Sequence, residues 1–217
     1  MSNLSVPLAG GATTTATVYA AEHPRDTLLI LAHGAGAGQR HPFMVALARG
    51  LATRGIDVVT FDFPYMQQKR KVPDTAPVLE ACFRAVIDAC RGDGSERRLF
   101  IGGKSMGGRM ATHLGAQGVD GLRGIIALGY PLHPPGRPDQ PRVAHLPSIT
   151  VPVMIVQGER DAFGTPSELA PVIRTMQAMV MLHVVEGGDH SLAVRGRAPD
   201  DARAPVLDAI AGWIYSV

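Results

Sequence analysis

The chain has no apolar run approaching the roughly 20 residues that a membrane-spanning helix needs, and residues 1–10 carry no leader-like charged and apolar segment. No membrane role is expected, and the expected setting is the cytoplasm. Cysteine occurs only as Cys82 and Cys90, both in one helical stretch, where eight residues of rise separate them by about 12 Å. No disulfide fits that spacing, so free thiols in a reducing compartment are expected. Strong charge of one sign is missing too. The 21 basic residues are scattered among 19 acidic ones for a net +2, so no basic stripe invites nucleic acid. The densest basic cluster, Lys69-Arg70-Lys71, reads as a solvated loop.

At 217 residues, 46% of them hydrophobic, the chain is long enough to bury one sizeable core. One domain spanning residues 1–217 is the expectation. The apolar runs are short, bounded by turn residues, and mostly followed by segments of helical spacing, the rhythm of an α/β fold with a mainly parallel sheet. Residues 14–20 alternate like an exposed edge strand, and residues 27–32 (TLLILA) read as a buried one. Further strands are expected at 56–61, 98–102, 124–128, 152–157 and 180–185, about seven in all. Helices are expected at 42–54, 76–91, 106–117, 165–177 and 200–215, on both faces of the sheet. A loop through Pro64 and Pro73 and a proline-rich stretch at 131–147 interrupt this pattern.

The chemistry concentrates where strands end. Gly103-Lys104-Ser105-Met106-Gly107 has the form G-x-S-x-G and lies where a strand meets a helix, as a nucleophile elbow requires. A serine pushed into the open by a sharp turn needs neighbours without side chains, which Gly103 and Gly107 supply. A phosphate loop would need glycine at position 98, which is Arg98. A serine hydroxyl also needs a base, and the base needs an orienting acid. Asp161 follows the strand PVMIVQ, and His190 follows the strand VMLHVV, which completes the chain order Ser, Asp, His. Asp189 is adjacent to His190 and so poorly placed to face it; Glu159 is a weaker candidate acid. His23, His113, His133, His145 and His183 read as surface or packing residues.

The loop His33-Gly34-Ala35-Gly36-Ala37-Gly38 follows the first buried strand, where backbone N–H groups can meet a developing oxyanion. Ala35 and Met106 are the expected donors. The loop is no dinucleotide fingerprint, since the required third glycine falls on Gln39 or His41. His33 is expected to brace the loop, and Asp62 to lie in a loop near the site. Gly34, Arg40, His41, Tyr65 and Met66 are the expected substrate-binding residues, with residues 130–147 as the opposite wall. A chain this short leaves no room for a large lid, so a shallow, open site is expected.

Together GKSMGG, AHGAGAG, QGERDAFG and GGDHSL resemble the α/β-hydrolases over nearly the full length, and the compact form is similar to dienelactone hydrolase-like members. GKSMGGRMA with GYPLHPPG resembles a small bacterial branch related to testis-expressed protein 30 and to subunit 3 of the non-specific-lethal complex. The resemblance implies a triad of Ser105, Asp161 and His190, with no metal and no organic cofactor. Dienelactone hydrolase has cysteine where this chain has Ser105, which weakens transfer of a lactone substrate. The expected function is a serine hydrolase of small carboxylic esters or thioesters, acting as a monomer or homodimer. The alternative is an interaction scaffold that kept the fold without the reaction. Arg40 and the Lys69-Arg70-Lys71 run are expected to bias the site toward anionic acyl groups.

Overall fold

A computed structural model of the chain describes residues 1–92 and 97–217. Among the described residues eight strands form one sheet: β1 (Ser2–Pro7), β2 (Thr13–Tyr19), β3 (Thr27–Ala32), β4 (Asp57–Phe61), β5 (Arg98–Lys104), β6 (Leu122–Leu128), β7 (Val153–Gly158) and β8 (Val180–Val185). They lie in the order β1-β2-β4-β3-β5-β6-β7-β8. Pairing is parallel from β4 through β8 and antiparallel for β1 with β2 and β2 with β4. This is the α/β-hydrolase arrangement expected, without a lid.

Strands such as TLLILA are apolar throughout because the sheet is covered on both sides. Leu29 and Leu31 of β3 pack toward α1 (Pro42–Ala52) and α6 (Pro199–Ser216). Leu28, Ile30 and Ala32 alternate to the other face, toward α3 (Ala76–Arg91) and α4 (Met106–Gln117). The short α2 (Pro64–Gln67) and α5 (Pro166–Ile173) complete the set, α5 closing its start with a Thr165–Glu168 capping box. Every described α-helix except α4 carries proline at its first or second position, where its missing N–H has no intrahelical acceptor to lose. The exception begins on Ser105. No described helix is long and apolar enough to cross a membrane.

Four expectations change. The sheet has eight strands instead of about seven, because SNLSVP pairs with β2 while burying only Val6 completely, too faint a pattern to read. Consequently β2 is an inner strand and not the edge; β1 and β8 are the edges. Further, α5 stops at Ile173 instead of running to 177, because Pro171 removes a backbone donor near its end and turns at Thr175 and Met176 follow. Residues 64–67 form one helical turn inside the expected loop.

Backbones approach one another closely where β5 turns into α4. A Cβ on Gly103 would strike the Ala32 carbonyl oxygen and come within 2.7 Å of the Gly107 backbone. A Cβ on Gly107 would strike the same oxygen and lie 2.6 Å from the Ala32 carbonyl carbon. The two glycines therefore clear the end of β3 for the first turn of α4, more than they clear the serine itself. Gly107→Ala is expected to destabilise the protein by about 1–3 kcal/mol despite alanine's better helix propensity. Gly212→Ala, exposed in α6 with open space around its Cβ, should stabilise it by about 0.5–1 kcal/mol. Chemical denaturation of both variants checks the contrast; equal effects would remove the close-approach argument.

Candidate active site

Ser105 is the N-cap of α4 and holds φ 51° and ψ −114°, a backbone conformation rare outside glycine. Its N–H donates to Leu128 O of β6 at 2.8 Å, and its carbonyl accepts from Arg109 N at 3.0 Å. The turn is thus tied to the neighbouring strand on one side and to its own helix on the other. Its side chain makes no cap bond, which leaves the hydroxyl available to other groups.

The loop after β8 brings His190 to that hydroxyl. His190 Nε2 lies 2.9 Å from Ser105 Oγ, and Nδ1 lies 2.8 and 3.0 Å from the two carboxylate oxygens of Asp161. An ionised carboxylate only accepts, so the Nδ1 contact assigns the proton to that nitrogen and leaves Nε2 as acceptor toward serine. Asp161 is 1% exposed and also accepts from Phe163 N at 2.8 Å and from Gln157 Nε2 at 2.9 Å. The Phe163 ring stacks on the imidazole with centroids 4.1 Å apart. Asp189 instead accepts from Ser191 N and Ala193 N, shaping its own turn. Glu159 accepts from Gly187 N at 2.7 Å, which lashes the loop after β7 to the loop after β8.

Gln157, at the end of β7, was not singled out from sequence. It is fully buried, accepts from Tyr130 N at 2.7 Å, and donates to Gly164 O at 2.7 Å as well as to Asp161. Its signal was available: an amide closing the apolar run PVMIVQ must find buried partners.

The glycine loop is braced from behind. His33 is buried, donates from Nδ1 to Gly34 O at 2.7 Å, and accepts at Nε2 from Phe63 N at 3.0 Å. Burial lowers its pKa, with the Gly34 carbonyl and the Asp62 charge pulling the other way, and both hydrogen bonds suit the neutral ring. Asp62 accepts from Gln39 N at 2.8 Å, fixing the loop's far end. Ala35 turns its carbonyl back to the Tyr65 hydroxyl, which donates at 2.9 Å. Met106 opens α4, so its N–H has no acceptor within the helix.

A cavity of about 610 Å³ lies over Ser105, within the usual range for small-ligand sites. Of the expected residues, Gly34, Ala35, His41, Ser105, Met106 and His190 line it. Arg40, Tyr65 and Met66 do not. Arg40 faces solvent, Tyr65 is wholly buried behind the loop, and Met66 packs against the core. The Lys69-Arg70-Lys71 run is exposed and also absent from the lining, Arg70 being paired with Asp74 at 2.6 Å. The cations that do line the cavity are Lys104, Arg109 and Arg142. Lys104 is the unassigned letter before the serine of G-x-S-x-G. Arg109 stands one helical turn beyond Ser105, a spacing that puts both on one face. The proline-rich stretch forms part of the wall, through Pro131 and Arg142.

Lys104 Nζ donates to the His190 carbonyl at 2.5 Å. Burial lowers its pKa to about 8, against the pull of Asp161 and Asp189 in the other direction. The two cysteines are free, as expected, and burial raises Cys82 to about 12 and Cys90 to about 11, so neither offers a ready thiolate. His133 and His145 bond to local partners, and His113 to Glu80. Among the described residues no group of three or more His, Cys, Asp or Glu side chains is arranged to hold a metal ion.

The chain matches the family model for the alpha/beta hydrolase domain over residues 25–214. It is also similar in structure to a dienelactone hydrolase from Anabaena variabilis, at 16% identity and TM-score 0.78, covering 99% of this chain and 96% of that one. Est1E from Butyrivibrio proteoclasticus with bound ferulic acid shows 16% identity and TM-score 0.79, with 98% of each chain covered. A serine hydrolase without lid from Xanthomonas campestris shows 19% identity and TM-score 0.76, covering 98% of this chain and 94% of that one. At such identities these likenesses concern the fold alone, whereas the domain match spans most of the sequence: the chain belongs to the alpha/beta hydrolase family.

Proposed function

We propose that the protein is a serine hydrolase of small carboxylic esters or thioesters, working through an acyl-enzyme. The observation that carries this reading is the continuous relay from Ser105 Oγ through the His190 ring to the buried Asp161, with contacts of 2.9 and 2.8 Å. Ser105 attacks the substrate carbonyl carbon while His190 Nε2 takes the hydroxyl proton, and Asp161 stabilises the imidazolium that forms. The carbonyl electron pair moves onto oxygen, where the N–H groups of Ala35 and Met106 receive it. Collapse expels the alcohol or thiol, protonated by His190, and leaves an ester on Ser105. Water, deprotonated by His190, attacks that ester and returns free acid and enzyme. Gly34 and His41 line the substrate space. None of these steps calls for a metal or organic cofactor. The names of neighbours, a dienelactone hydrolase and a serine hydrolase without lid, accord with this chemistry.

The remaining contacts are assigned positioning roles. Gln157 holds Asp161, and Lys104 holds the His190 loop to the elbow. The cytoplasm and a monomeric or homodimeric state remain part of this reading.

Ser105→Ala should abolish hydrolysis of p-nitrophenyl acetate, and a fluorophosphonate probe should label Ser105 alone. Undiminished turnover by the alanine variant would end the assignment, and a well-folded protein that takes no label would favour the scaffold. Gln157→Leu strands the Tyr130 N–H and the Gly164 carbonyl and leaves Asp161 Oδ2 with His190 alone, so a loss of about 1–3 kcal/mol is expected together with a fall in kcat larger than any change in KM. Denaturation curves beside steady-state kinetics test both. For Lys104 the folded pKa lies below the unfolded one, so the folded state resists its proton. That penalty is complete below about pH 8 and is relieved between pH 8 and the ordinary lysine range, where only the unfolded chain stays protonated. The wild type should therefore gain stability over that window relative to Lys104→Met. Parallel pH–stability curves for the two proteins would disprove it.

A further inference from the structure

The cavity above Ser105 is lined by two arginines that make no ion pair among the described residues. Arg109 enters it from α4 and Arg142 from the proline-rich stretch. The arginine ion pairs among the described residues are made by Arg54, Arg70, Arg97 and Arg203, and neither cavity arginine is one of them. Arg109 Nε is sealed from solvent and has no hydrogen-bond partner. Burial and the facing Arg142 charge both disfavour the Arg109 cation, while Tyr130 and Glu80 act weakly the other way. A stranded buried donor of this kind weakens a fold, and the atoms Arg109 can offer a ligand are its terminal guanidinium nitrogens.

The complementary group follows from guanidinium geometry. Two planar forks facing one space match a group that only accepts and presents two oxygens. Asp74 narrows the choice. It lines the same cavity, its Oδ1 is taken by Arg70, and its Oδ2 is buried without a partner. A fixed carboxylate there opposes a dianion such as phosphate more than it opposes a monoanion. Arg109 stands one turn, about 5–6 Å along the helix, from Ser105, so the anion and the scissile carbonyl belong to one small molecule.

We propose that Arg109 and Arg142 form a carboxylate-binding subsite beside Ser105, so that the preferred substrates are small esters or thioesters carrying a second, free carboxylate. The substrate class rests on the hydrolase reading; the binding of the anion does not. It also relocates the anionic preference expected of Arg40 and the Lys69-Arg70-Lys71 run, neither of which reaches the cavity.

Two arms test it. In the first, kcat/KM is measured for p-nitrophenyl acetate and for the p-nitrophenyl monoester of succinic acid. The charged ester should be favoured about 10- to 100-fold, and Arg109→Gln or Arg142→Gln should shrink that ratio about tenfold, mainly through KM. In the second, the thermal midpoint of Ser105→Ala protein is followed with monomethyl succinate or inorganic phosphate. The monoanion should raise it more than phosphate does, and adding Arg109→Gln should cancel the rise. Unliganded Arg109→Gln should melt no lower than wild type, since it removes a stranded charge. Equal use of the two esters, a stronger response to phosphate, or loss of both activities together with a lower midpoint in both arginine variants would overturn the subsite. If no ester is cleaved while monomethyl succinate still binds through Arg109, the subsite stands and the hydrolase reading falls.

Discussion

The backbone of Ser105, with φ 51° and ψ −114°, is the constraint on which the site depends. Such a conformation costs on the order of 1–3 kcal/mol and survives only where surrounding structure over-determines it. Here three ties do so: the Ser105 N–H bonded to β6, its carbonyl bonded to α4, and the glycines that let α4 sit against the Ala32 carbonyl. Relaxing the angle would turn the hydroxyl from His190, tilt the Met106 N–H away from the Ala35 loop, and swing Arg109 out of register with the cavity. A local strain thus sets three directions at once, and the sheet absorbs it because β3, β5 and β6 are central strands buried on both faces.

Two buried polar networks hold the loops that meet this elbow. On one side, Gln157 connects β7 to Tyr130, Gly164 and Asp161, so the acid's orientation depends on an amide whose own partners are main chain. On the other, neutral His33, Asp62, Gln39 and the Tyr65 hydroxyl hold the glycine loop by its carbonyls and far end. Each network satisfies backbone groups that loops at a sheet's end would otherwise bury unpaired. The division of labour is physical. Side chains behind the loops supply stiffness, while Gly34, Ala35, Gly36 and Ala37 present little bulk to the cavity.

What could be read from the chain alone followed the strength of the local signal. TLLILA and PVMIVQ announce buried strands by composition, and GKSMGG announces its turn because glycine is required where backbones touch. Asp161 and His190 were legible from strand order, since both follow apolar runs that end at one edge of the sheet. SNLSVP was not, because an edge strand burying one side chain needs little hydrophobicity and shows no clear alternation. The cavity wall was misread for a different reason. Tyr65 and Met66 follow a strand end as a wall residue would, yet the α2 turn carries them behind the glycine loop, a direction that no local pattern encodes. Arg142 came to the cavity through an irregular segment whose path is set by contacts such as the Tyr130 hydroxyl on its carbonyl.

Charge around the relay is organised differently from charge in the cavity. Lys104 stands beside His190, but Asp161 and Asp189 both act on it, so the three groups sum to one negative charge near the imidazole. A proton taken up by His190 during the proposed attack would bring that neighbourhood toward neutrality instead of adding to a positive cluster. Arg109 and Arg142 make no ion pair among the described residues, and both line the cavity over Ser105. Because interactions at several ångströms in a partly buried site keep much of their strength, the two regions can favour opposite events. The first accommodates a transient cation on histidine. In the proposed subsite the second would draw an anionic end of the substrate to one side of the serine, with its carbonyl toward the backbone N–H groups.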